Sequence, residues 1–364
     1  MARFLRLSYS FLSAYLNCPR SAFYYKCRDL PAMTTYPLLA GSKIHSHIAS
    51  FHRAVASERP FFFKTQASAC AAWLNLWSRT LQDPKVRKQL VFVSDDGAGK
   101  YYGIGSACVA NYYRANFERP RPLEVESRYR ADLAPGFKLV GHFDQLRRVS
   151  PEYIAKYRPD LMESGRLADG YDNVVIFDLK TDLFDYDAKS FSNDPTLVQK
   201  VRKQYDLHEG FQATIYTYLY EVKHGRKPIG FVWFHLRSGK AFFTYRENRD
   251  YQTLFDIIDH VVANIAAESF PKHVTWNCRT CPYLVPCRED RHLLYSLPSD
   301  VPDHPVQLEF VPNLVRKESD QQRRLDLRMP RQKAKKPIVT ELKKAEEIVL
   351  VDLPWDGEAV LPKP

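Results

Sequence analysis

At 364 residues, 45% hydrophobic and 13% aromatic, the chain can bury a sizeable core as one elaborated domain or two. No apolar run is long enough to cross a bilayer, and Ser and Tyr interrupt the stretch Phe11 to Leu16 with no small-residue cleavage site after it, so neither a membrane span nor a secretory leader is expected. The net charge of +11 points to a polyanionic partner, and from Asp300 onward 12 Lys/Arg balance 12 Asp/Glu, which leaves the whole excess in residues 1–299.

In chain order, Ser8 to Cys18 reads as a capped amphipathic helix, with Ser8 or Ser10 as the cap and Phe11, Leu12, Tyr15 and Leu16 on one face. Cys18-Pro19 marks a break, after which Phe23, Tyr24 and Tyr25 read as buried aromatics. A loop with Pro31 and Pro37 leads to a second helix, opening at Gly41 and carrying His45 through to about Val55. Residues 60–120 read as helices over Ala67–Leu81 and Gly105–Phe117, with a polar break at Asp95–Lys100. From Pro122 the period becomes that of strands. Leu123–Ala131 and Phe137–Val149 form a hairpin around Pro135-Gly136, and Tyr153–Asp172 is an irregular polar excursion. A long helix is expected over Pro195–Gly225, strands over Ile229–Leu236 and Ala241–Tyr245, and a last helix over Asp250–Glu268. Beyond Pro298, proline and mixed charge without a sustained period suggest a disordered or loosely docked tail. There is no phosphate loop and no dinucleotide fingerprint.

The most informative stretch is Val174 to Thr181, where four apolar residues run into Asp178-Leu179-Lys180. Residues two apart on a strand share a face, so Asp178 and Lys180 project side by side. That pair suits metal-assisted phosphodiester hydrolysis, with the acid on a divalent cation and the ammonium offsetting phosphate charge. It also suits an ordinary salt bridge at a strand end. Three further groups bear on the choice. Asp144 follows Gly141 at the end of an alternating strand; His45 sits four residues after Gly41; and Gln212 and Tyr216 share a helix face. Taken singly, each has a plain structural reading: a turn Asp, a surface or core His, a wet helix side.

Together, Gly-x-x-x-His at 41–45, Gly-x-x-Asp at 141–144, Asp-x-Lys at 178–180 and Gln-x-x-x-Tyr at 212–216 resemble, in order and on the expected elements, the PD-(D/E)XK nuclease superfamily in its RecB-like branch. The resemblance implies an α/β fold, a mixed central sheet flanked by helices, with His45, Asp144, Asp178 and the Leu179 carbonyl on Mg2+ or Mn2+. It makes Lys180 the catalytic lysine and lines the DNA path with Gln212 and Tyr216. Glu126 is similar to an acidic position in relatives. The separation of Asp144 from Asp178 exceeds the simple hairpin of these enzymes, so 153–172 would be an insertion.

Seven cysteines, an odd number with short spacings near the end, favour a reducing, cytoplasmic setting and metal ligation over disulfides. Cys278-x-x-Cys281-x5-Cys287 with distant Cys18 looks like the arrangement of the iron–sulfur members of this branch, such as AddB nuclease domains and CRISPR-associated RecB-like exonucleases. A [4Fe–4S] cluster there would staple the first helix to the last segment; zinc on four thiolates is the alternative, and Cys27 rivals Cys18 by position. The expected organisation is therefore N-terminal core helices (1–59), a helical insertion (60–121), the nuclease core (122–275), a cysteine segment (276–298) and a tail (299–364). The expected activity is that of a metal-dependent DNA nuclease, an exonuclease on single-stranded DNA or free ends in repair, recombination or mobile-element processing. Trp73 and Trp77 of the insertion are candidates for stacking bases. The rival expectation is a DNA-binding iron–sulfur scaffold or adaptation factor with little nuclease activity of its own.

Overall fold

A computed structural model of the chain describes residues 5–26, 34–56, 65–90, 95–116, 121–134, 137–181, 205–275, 278 and 281–289. Cys27, Pro31, the Pro135-Gly136 turn, the expected helix start at Pro195 and the tail beyond Pro298 lie outside the described residues.

The strands are β1 (Leu5–Leu7), β2 (Glu124–Ala134), β3 (Phe137–Arg148), β4 (Met162–Glu163), β5 (Arg166–Leu167), β6 (Tyr171–Lys180), β7 (Lys227–His235) and β8 (Lys240–Thr244). Six of them form one mixed sheet in the order β1-β3-β6-β7-β8, with β2 also on β3. β2 runs antiparallel along nearly all of β3, so β1 and β6 must share the other edge. β1 takes Phe137 to Leu139 in parallel, and β6 takes Gln145 to Arg148 in antiparallel register. Between those two ladders, residues 140–144 of β3 form no strand pairing with either β1 or β6.

Period-2 alternation along β6 sorts the core. Val174 and Ile176 join a cluster with α1 (Tyr9–Asn17), α8 (Phe211–His224) and α9 (Asn248–Ala266). Val175, Phe177 and Leu179 join the cluster on the opposite face, with α3 (Tyr36–Ala56), α4 (Gln66–Gln82) and α6 (Asp95–Asn116). Helices α3, α4 and α6 thus cover one face of the sheet. Trp73 and Trp77 of α4 are both 0% exposed and stack at 5.7 Å. Their indole N–H groups donate to the carbonyls of Tyr102 and Ala98 on α6, at 3.3 and 3.1 Å. These two rings are core, and the expected base-stacking role is withdrawn.

Several boundaries move for identifiable reasons. α3 opens at Tyr36, not at Gly41, because Pro37 sits in a first helical turn where its missing N–H costs nothing. The polar stretch Asp95–Lys100, read as a break because of its glycines, is the first part of α6. Leu16 and Tyr25, expected inside, are 41% and 38% exposed. The excursion after Tyr153 is ordered, comprising α7 (Pro151–Tyr157), a single 3-10 turn and the β4–β5 hairpin. The long helix before β7 is interrupted at Gly210, and α8 ends as expected with Gly225 in the left-handed conformation (φ 69°).

His47 and His52 on α3 are buried beneath α4 and α6. His47 Nε2 pairs with the Ala69 carbonyl at 3.1 Å, and His52 Nε2 pairs with the Tyr112 hydroxyl. Burial lowers the pKa of His47 to about 4 and, with Arg147 nearby, that of His52 to about 3. Their stabilising effect is whole above the ordinary pKa of 6.5 and is lost as pH falls from there through the folded values, because the unfolded chain takes up the protons first. By pH 5 the loss is on the order of 2 kcal/mol per histidine. Thermal melts at pH 7.5 and pH 5 will show it. His47→Gln, which retains an N–H donor, should melt lower at pH 7.5 yet lose less on acidification; an unchanged acid dependence would mean His47 is not the group involved.

Candidate active site

The site lies where β3 and β6 part. Their ladder ends at Gln145↔Phe177, so Asp144 and Asp178 are the first residues of the fork. Asp144 replaces the missing backbone bond with its side chain, Oδ2 accepting the Leu179 N–H at 2.7 Å. Its Oδ1 lies 3.2 Å from His45 Nδ1, which ties α3 to the fork. α3 can approach this closely because residue 41 is glycine: a Cβ there would meet Thr181 Oγ1 at 2.9 Å. Gly141 serves the opposite face, where a Cβ would meet the Leu219 side chain of α8 at 2.7 Å.

Asp178 and Lys180 face α8 and close a ring with Gln212. Gln212 Nε2 donates to Asp178 Oδ1, and Lys180 Nζ donates to Gln212 Oε1, both at 2.9 Å. Lys180 Nζ also lies 2.6 Å from Asp178 Oδ2, an ion-pair contact outside hydrogen-bond geometry, so that buried oxygen accepts no aligned bond. The ammonium rests over the Trp233 ring, 5.1 Å from its centroid. Gln212 and Tyr216 were expected to line a DNA path; here both are buried, at 5% and 8% exposure. Gln212 orders the Asp178–Lys180 pair, while Tyr216 donates its hydroxyl to the His142 carbonyl at 3.0 Å and packs its ring on Phe143.

Glu126 completes the constellation from β2. It stands opposite Asp144, between the paired residues Val125 and Ser127, with φ of 52°. A glutamate in the left-handed region costs roughly 1 kcal/mol and persists only where its surroundings enforce it. Ligand atoms of His45, Glu126 and Asp144 all lie within 4.8 Å of one another, the one such group of three among the described residues. His142 Nε2 flanks it, 3.2 Å from Glu126 Oε2.

The electrostatics show strongly interacting charges. Burial raises Asp178 to about 6 against the pull of Lys180, with Asp144 adding to the rise. Burial and Asp144 likewise raise Glu126. Burial would raise Asp144 too, but His45 and the Leu179 N–H outweigh it and the net shift is downward. His45 and Lys180, which burial would lower, are held above their ordinary values by Asp144 and Asp178 respectively. Two carboxylates, of Glu126 and Asp144, and the His45 imidazole gathered this closely fit a hard divalent cation, and Asp178 stands outside that group, tied to Gln212 and Lys180.

A model of the PD-(D/E)XK nuclease superfamily matches residues 6–155 and 158–288. The chain belongs to that superfamily. A search of the curated proteins found no match. Membership in the PD-(D/E)XK superfamily implies metal-dependent nuclease chemistry with DNA as substrate, and the fork supplies its acids and its lysine. Among the described residues no helix is long and apolar enough to cross a membrane.

Glu126 was named from sequence on resemblance alone; its backbone conformation has no signature in the residue string. Replacing it with glycine removes both the ligand and the strain. Glu126→Gly should therefore raise the melting temperature by a few degrees while weakening Mn2+ binding about tenfold. Calorimetric titration with Mn2+ checks this, and unaltered affinity would remove Glu126 from the ligand set.

Proposed function

We propose that the protein is a Mg2+- or Mn2+-dependent DNA exonuclease acting on single-stranded DNA or on ends that fray, with an iron–sulfur cluster joining its first and last core segments. The observation that carries the nuclease reading is the fork itself, where the Asp144 carboxylate bridges His45 and the Leu179 amide beside the Asp178–Lys180 pair. His45, Glu126, Asp144, Asp178 and the Leu179 carbonyl are the proposed ligands. The cation, when bound, supplies Lewis acidity toward the phosphate and a more acidic water. Lys180 keeps its proton, and its N–H groups orient the attacking water and offset charge on the phosphate as the bond to the leaving oxygen breaks. Gln212 holds that ammonium in place from one side and Trp233 from another. The exonuclease and single-strand preferences rest on the RecB-like order of the four motifs.

Support for the cluster comes from the neighbourhood of the four thiols. Cys281 and Cys287 each lie within electrostatic reach of one another, of Cys18 and of Cys278, and burial raises both. Cys18 caps α1, and the C-terminal segment is tied to the first two helices by Tyr15 Oη to the Ser269 carbonyl at 2.7 Å and by Tyr24 Oη to the Pro286 carbonyl at 3.2 Å. Zinc would draw its sulfurs to about 3.8 Å of one another. Four thiolates also suit zinc, and analysis for iron, sulfide and zinc separates the two.

One preparation tests both parts. Anaerobically purified protein should carry about four iron and four sulfide, and Cys281→Ser should lose them. With Mg2+ or Mn2+ it should shorten end-labelled single strands, and Lys180→Ala should be at least 100-fold slower. Equal activity of parent and Lys180→Ala would refute the site, and one zinc without sulfide would refute the cluster.

A further inference from the structure

A row of cations on the outer hairpin of the sheet leads into the fork. On β2, Glu126, Arg128, Arg130 and Asp132 alternate with buried Tyr129 and Ala131, so they share the outward face. The register with β3 sets Arg128 beside His142, Arg130 beside Val140 and Asp132 beside Lys138. Arg128, Arg130 and His142 are exposed. At the far end, Lys138 and Asp132 pair at 3.3 Å; at the near end, His142 contacts Glu126 of the proposed metal cluster. Between those ends, neither arginine has a hydrogen-bond or ion-pair partner among the described residues.

Two unpaired arginines on one strand face, with a histidine beside them and no acid between, repel one another and gain from a bound polyanion. Same-face residues recur every ~6.7 Å along a strand, close to the spacing of successive phosphates. The two unpaired arginines stand in single file along β2, which suits a single nucleic-acid strand better than a duplex. No aromatic side chain stands in the row, so it reads backbone and not bases.

We propose that Arg128 and Arg130 bind successive phosphates of a single DNA strand and lead it along the β2–β3 hairpin to Glu126 and the fork. This rests on the nuclease reading above for what happens at the fork, but not for the binding itself. The simpler use of such residues is to protect an edge strand from pairing with another chain, in which case DNA would not depend on them.

Fluorescence anisotropy of a labelled single strand, with Ca2+ in place of Mg2+ and across a salt series, separates the two. Arg128→Gln/Arg130→Gln should weaken binding on the order of tenfold at low salt and reduce the salt slope by about 1.4, the value for two lost phosphate contacts on single strands. Arg128→Lys/Arg130→Lys should retain most of the affinity. Lys85→Gln/Lys88→Gln, on an exposed turn of the insertion, removes the same charge and should leave binding unchanged. Parental affinity in the arginine variant, or an equal loss in the lysine control, overturns the proposal while leaving cleavage by the parent intact. Arginine-dependent binding by a parent that cuts nothing supports the proposal and overturns the nuclease reading instead.

Discussion

The arrangement depends on one carboxylate. Asp144 stands where β3 leaves β6, and its two oxygens hold the Leu179 amide and the His45 imidazole. A buried N–H at the end of a ladder needs an acceptor, and a buried carboxylate needs donors. Each need answers the other, so the Leu179 amide keeps a partner where the strands separate. That separation opens the space in which Asp144 meets His45 and Glu126. The two glycines belong to the same construction, because Gly41 and Gly141 let α3 and α8 approach the sheet on either side of the fork.

The same geometry concentrates charge. Burial acts against every ionised group in the fork, and local partners decide which remain charged. His45 and Lys180 are held above their ordinary values because carboxylates face them, whereas Asp178 and Glu126 are raised because burial and Asp144 outweigh their cationic neighbours. A divalent cation at this place relieves the repulsion among the acids. The Asp178–Lys180–Gln212 ring then holds the ammonium beside Asp178.

Much of this was legible in the residue string. Alternation from Val174 to Leu179 fixes which residues face each helical layer, and it sets Asp178 beside Lys180 before any coordinates are known. The motif order gave His45 and Asp144 as partners, and they meet at 3.2 Å. Other features were hidden for physical reasons. A stripe of tryptophans at helical spacing looks the same whether it packs a core or stacks on bases, and only burial separates the two. Gln212 and Tyr216 share a helix face as expected, but sequence could not tell that the face turns inward. Glu126 owes its position to a backbone angle that glutamate does not favour. The segment after Tyr153 is built from short elements held by tertiary contacts, such as buried Arg158 gripping Asp160 and the Ile229 carbonyl, and these carry little periodicity.

If Asp144 is the hub, removing its charge while keeping its shape must abolish the metal site before it disturbs the fold. Manganese binding followed by electron paramagnetic resonance, on the parent and on Asp144→Asn, tests this directly. The account predicts that the parent takes up Mn2+ at the fork and that Asp144→Asn, still folded by circular dichroism, does not. Equal Mn2+ uptake by a folded Asp144→Asn protein would contradict it.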